Sequence, residues 1–159
     1  MISMKQFSTT ALLAATLSTG MAATAAPAPK TAGTIIIREK DTSVECSIPT
    51  TPGDHSLKEN SCTNDQAYTV RFVKVPSALN ITFFNDEKDG KCFDNEGWEI
   101  EVRTIKDPTT TPAEAYMNIE SMANAADDSI IEAGVLKIRY RADGAIHGKL
   151  SCVRIEDNK

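Results

Sequence analysis

Two histidines, a pair of strand-borne glutamates and one acidic loop are the residues whose types suit catalysis or metal binding. His55 and His147 stand 92 positions apart. Neither lies in H-E-x-x-H, and the chain has no G-x-S-x-G nucleophile elbow. Both have Gly and Asp nearby in turn-like sequence, the surroundings of a solvated loop histidine. Glu99 and Glu101 share one strand face, and a carboxylate pair is what flanks a sugar bond in a glycosidase. An alternating charged row is equally the wet side of an antiparallel sheet. The row Lys137, Arg139 and Arg141 would then be its partner on a neighbouring strand. We adopt that reading and expect no enzyme. Asn85-Asp86-Glu87-Lys88-Asp89-Gly90, with Glu96 at the twelfth position, imitates a calcium loop. Asn stands first, a longer Glu stands third, and strand-like sequence replaces the entering helix, so an acidic hairpin loop is expected there.

The cysteines carry firmer chemistry. Cys46, Cys62, Cys92 and Cys152 are four in number, and no two have the C-x₂₋₄-C spacing of a zinc site. An even count in an exported chain means disulfides, with three connectivities open. We favour Cys46–Cys62, closing a Pro/Gly/Asn-rich loop, and Cys92–Cys152, tying an inner loop to the last strand. Export is read from the N-terminus. Lys5 is the one charge before Lys30, Ala11 to Leu17 is apolar, and Ala23-Thr24-Ala25 is an A-x-A cleavage site. The apolar run is far short of the roughly 20 residues of a membrane span. Met4 is an equally good start. Removing residues 1–25 takes one Lys and no acid, moving the charge from −5 to −6. The expected address is secreted or periplasmic, with 26–32 a disordered lead-in and 33–159 one domain.

The whole chain has 159 residues, 41% apolar and 25% charged, which excludes disorder for its bulk. A pI near 5.1 argues against a nucleic-acid partner, since phosphate binding rests on surplus Lys and Arg. Short β-type runs dominate: 33–38, 44–48, 68–75, 79–84, 98–103, 136–141 and 149–155. Trp98, Ile100 and Val102 alternate with charges, as Leu136, Ile138 and Tyr140 do, the pattern of half-buried strands. Such spacing predicts an all-β Greek-key sandwich of about eight strands. One segment departs from it. Thr111-Pro112-Ala113-Glu114 is a capping box with Pro at the first helical position, and Ala115, Ile119, Met122 and Ala126 follow at helical spacing. A short helix over about 112–125 is expected. Asn80-Ile81-Thr82 is a glycosylation sequon or a strand-edge Asn.

The stretch from Cys62-Thr63-Asn64-Asp65-Gln66-Ala67-Tyr68-Thr69 through Val75-Pro76-Ser77-Ala78 to Ile81-Thr82-Phe83-Phe84-Asn85-Asp86 and Trp98-Glu99-Ile100 resembles a microbial βγ-crystallin-like Greek-key module. The match covers 62–103 and extends weakly to 134–156. The resemblance implies paired Greek keys, calcium held between loops, and no catalysis. Asn64 and Asp65 fit the first two signature positions and Thr69 roughly the sixth. Tyr68 stands where the family has a ligating hydroxyl, and Asp127-Asp128-Ser129-Ile130-Ile131 fails as a second signature at the same place. No cofactor is required on this reading, and calcium affinity at Asn64 and Asp65 is weak. Two functions follow. One is a non-catalytic stress or surface protein that binds an unknown protein or cell-surface ligand. The other is a protein-directed inhibitor, killer-toxin-like effector or toxin-neutralising protein. It would act through a constrained loop such as Pro49 to Ser61 or Asp86 to Glu96.

Overall fold

Alternating apolar runs become strands because alternate side chains point to opposite faces of a pleated chain. The computed structural model describes residues 32–40, 45–60, 62, 66–93, 97–142, 146 and 150–158. The expected signal sequence, nearly all of the lead-in, Asn64, Asp65, Glu96 and His147 lie outside them. In chain order the elements are β1 (Thr34–Glu39), β2 (Glu45–Pro49), β3 (Gly53–Ser56), β4 (Ala67–Val73), β5 (Leu79–Phe84), β6 (Glu87–Lys88), β7 (Lys91–Cys92), β8 (Glu99–Thr104), β9 (Met117–Asn118), α1 (Ile119–Asn124), β10 (Ile130–Glu132), β11 (Val135–Arg141) and β12 (Cys152–Asp157). Eight of these strands have four residues or more. They form a four-stranded sheet, β2-β1-β4-β9, a six-stranded sheet, β10-β11-β8-β5-β12-β3, and the small hairpin β6-β7. The all-β class expected from the sequence is the one found.

The two sheets share one core. Ile35, Ile37, Val70 and Phe72 from the first meet Ile81, Phe83, Ile100, Val102, Val153 and Ile155 from the second, with Trp98 among them. The chain changes sheets between β2 and β3, an unpredicted edge strand. Thr50 fixes the crossing: its Oγ1 accepts from Gly33 N at 2.7 Å, and its N donates to Gly33 O at 3.0 Å. Only glycine fits at 33, because a Cβ there would lie 2.4 Å from Lys74 O.

Two local expectations are corrected. The first is the helix, which spans Ile119–Asn124 rather than 112–125. Thr111 does not cap it. It is 1% exposed and runs against β4, where Thr111 N donates to Phe72 O at 3.0 Å and Phe72 N donates to Thr111 Oγ1 at 3.2 Å. The cap is Asn118, whose Oδ1 accepts from Ser121 N at 3.0 Å. The second is the basic row. A register shift in β11 between Lys137 and Arg139 breaks the alternation. Lys137 therefore pairs with inward-facing Val102, while Arg139 and Arg141 pair with Glu101 and Glu99. Lys137 is 1% exposed, and its Nζ donates to Ala123 O at 2.7 Å and to Ala125 O. It caps the last carbonyls of α1, which have no partner within the helix.

Candidate binding cleft

The outward face of the six-stranded sheet is ordered by register. Directly opposed residues put Asp54, Arg154, Thr82, Glu101 and Arg139 in one row across β3, β12, β5, β8 and β11. The next row is Ser56, Cys152, Phe84, Glu99 and Arg141. The hairpin β6-β7 lies over the second row. Its turn is Asp89-Gly90, both at positive φ (54° and 74°), the two-residue loop whose twist matches that of the strands. The acidic hairpin expected within 85–96 is thus present, with Glu87 opposite Cys92.

Three sets of bonds fasten this hairpin down. Cys92 is joined to Cys152, and the pair packs with Phe84 as an apolar cluster apart from the main core. Arg154 Nε and Nη2 donate to Asp54 Oδ1 and Oδ2 at 2.7 and 3.2 Å, and Nη2 also donates to Cys92 O at 2.8 Å. Asp54 Oδ2 accepts from Cys92 N at 3.2 Å, and the guanidinium stands 5.0 Å from the Phe84 ring centre. Ser56 Oγ donates to Glu87, whose other oxygen is 3.7 Å from Lys58 Nζ. Burial works to raise the Asp54 carboxyl, but the hydrogen bonds and charge of Arg154 outweigh it and hold it below its ordinary value.

The second wall is the loop from Pro49 onward. Thr51, Pro52 and Gly53 are exposed between the buried anchors Thr50 and Ser56, and Pro49 is exposed just before them. His55 Nε2 donates to Thr51 O at 2.8 Å. The histidine sits in an edge strand, not in a solvated loop as expected, and its ring braces the exposed backbone. After Leu57, which is fully buried, the turn closes through Cys62 N donating to Leu57 O at 2.9 Å and through Cys46–Cys62. Both favoured disulfide pairings are therefore present. Between this loop, the hairpin turn and the end of β12 lies an open cleft of about 880 Å³. Asp54, Glu59, Asp89, Glu156 and Asp157 line it with Lys91 and Arg154. Glu59 packs against the hairpin: a Cβ on Gly90 would come within 2.6 Å of its Oε1.

The other sequence candidates are not in this cleft. Glu99 is an ion-pair residue rather than part of a wet row. Its side chain is 5% exposed, with Arg139 Nη1 at 3.1 Å and Arg141 Nη2 at 3.2 Å. Glu101 Oε2 accepts from Arg139 Nε at 2.7 Å. Asn85 Oδ1 accepts from Trp98 N at 2.8 Å, and Asp86 Oδ1 accepts from Glu87 N at 2.8 Å, so both close the hairpin's base. Asn80 is in a central strand, not at an edge, and its Oδ1 accepts from Arg103 Nε at 2.8 Å. Among the described residues no group of three or more His, Cys, Asp or Glu is placed to hold a metal ion. Also among them, no helix is long and apolar enough to cross a membrane. Sequence reasoning missed Asp54 and Arg154. Only the Asp-Gly pair flanked by Lys88 and Lys91 signalled the hairpin they dock. No family model, curated protein or solved structure matches the chain.

Proposed function

We propose that the chain is an exported, non-catalytic binding protein that engages a protein partner through the cleft and the two disulfide-tied loops beside it. One observation carries this reading. Pro49 to Ser61 and Asp86 to Glu96 lie far apart in sequence, yet their described parts face each other across a single cleft. Loops ordered in advance lose less entropy on binding, which favours affinity for a protein surface. The Glu99 and Glu101 carboxylates, the pair best suited to hydrolysis by residue type, are instead tied to Arg139 and Arg141.

The test is partner capture from the organism's own secreted fraction, followed by affinity measurement on variants. Pro52→Arg and Glu156→Arg, at cleft positions on the loop and at the end of β12, should each weaken binding at least about tenfold, or about 1.4 kcal/mol. Glu132→Arg, on β10 at the opposite edge of the sheet, should leave it unchanged. Equal affinities for all three variants would move the binding surface elsewhere. The crystallin-like reading adds weak calcium binding at Asn64 and Asp65. Melting the oxidised protein in millimolar calcium and in chelator checks it. A ligand at about 100 times its Kd adds about 2.7 kcal/mol. A shift lost in Asp65→Ala supports the ion site, and coincident melts remove calcium from the account.

A further inference from the structure

We propose that Cys46–Cys62 is a redox latch on the cleft, opened by an external dithiol while Cys92–Cys152 stays closed. The consequence for binding rests on the cleft being the binding site; the latch itself does not. Reduction requires a thiolate to reach a disulfide sulfur, so access decides the order. Cys46 lies on β2, an edge strand of the four-stranded sheet, and of the four half-cystines it alone is not buried. Cys152 is wholly buried, and Cys92, on the hairpin strand β7, is 6% exposed. Arg154 braces the surroundings of this second bond, donating to Cys92 O and standing 5.0 Å from the Phe84 ring centre.

The latch reaches the cleft through one short turn. Cys62 closes the turn that begins at Leu57, and Glu59 in that turn lies against Gly90 of the opposite wall. Opening it does not unfold the domain, because Leu57 stays in the core and its N donates to Ser151 O at 2.9 Å. In the reaction a dithiol thiolate attacks Cys46 Sγ, forms a mixed disulfide, and releases Cys62 as a thiolate. The second thiol of the reductant then attacks its own bound sulfur and closes an intramolecular disulfide. Two electrons pass to the protein, and two protons leave Cys46 and Cys62 as thiols.

The experiment is a native dithiothreitol titration of the oxidised protein, with alkylation and mass mapping at each point. Cys46 and Cys62 should be labelled at least about tenfold faster than Cys92 and Cys152. In the half-reduced species, amide exchange should rise at Leu57–Asn60 and at Asp89–Lys91 and stay unchanged in β12. A Cys46→Ser/Cys62→Ser double variant should show that exchange pattern without reductant. Simultaneous labelling of all four cysteines, Cys92 labelled first, or unchanged exchange at Asp89–Lys91 overturns the latch. No partner enters this measurement, so its failure leaves the cleft reading standing. A partner found elsewhere on the surface would likewise leave the latch standing.

Discussion

Arg154 and Asp54 hold β3, β12 and Cys92 together through four hydrogen bonds. They join an edge strand to a hairpin that shares no ladder with it, and no motif in the sequence marks either one. The pair also sets an acid limit. Asp54 titrates below its ordinary value in the folded state, with 3.8 as the reference. Its contribution is therefore complete above the unfolded value and lost as pH falls through the folded one. Urea unfolding should show stability flat between about pH 7 and pH 5 as far as this group is concerned, then a fall below about pH 4. Asp54→Asn should start less stable at pH 7 and show a shallower acid fall. A variant as steep as the parent would remove Asp54 from the acid response.

Helix α1 is the element least able to stand alone. Six residues cannot hold a helix in water without help, since nucleation costs more than so few hydrogen bonds return. Three anchors hold it: Asn118 at the start, Lys137 at the end, and Ile119, Met122 and Ala123 buried against the core. Lys137→Met keeps most of the volume but removes the donor from one buried carbonyl, Ala123 O, and one half-buried carbonyl, Ala125 O. That should cost about 1–3 kcal/mol in urea unfolding and speed amide exchange in α1 first. Full stability in Lys137→Met would show the carbonyls satisfied by other means. The capping box at Thr111 misled because its hydroxyl is shared between two possible partners. Phe72 of β4, opposite Ile35 in the ladder with β1, takes both the backbone N–H and the hydroxyl of Thr111, so the threonine is spent on the strand.

At the scale of the whole molecule, one apolar core is common to both sheets, and Trp98, the sole tryptophan, is 2% exposed within it. Neither sheet can keep its inner face dry without the other. Tryptophan fluorescence and far-ultraviolet circular dichroism should therefore report the same unfolding midpoint for the oxidised protein. Separated midpoints would mean that the sheets unfold as independent units. The hairpin is the exception, because its apolar cluster with Phe84 lies outside the main core. The disulfide there closes the longer loop, a separation of 60 residues against 16. In the chain-entropy account it restricts the unfolded chain by about 4 kcal/mol, against about 3 for the shorter one.

Much was legible in advance. Periodicity located the eight longer strands apart from β3, because alternation is a local property of the chain. Composition and spacing also indicated the two disulfides, which join places where turns and strand ends return the chain on itself. Three features depend on which strand lies beside which. The shift in β11 turns Lys137 inward, a choice made by pairing with Val102 and not by neighbours in sequence. Asp54 meets Arg154 only because β3 joins the edge of β12 after the chain has changed sheets. The cleft exists because two separate loops are brought to one end of that edge. Local sequence sets which residues form strands. Long-range register decides which faces are buried and which loops meet, since it is fixed by contacts between segments far apart in the chain.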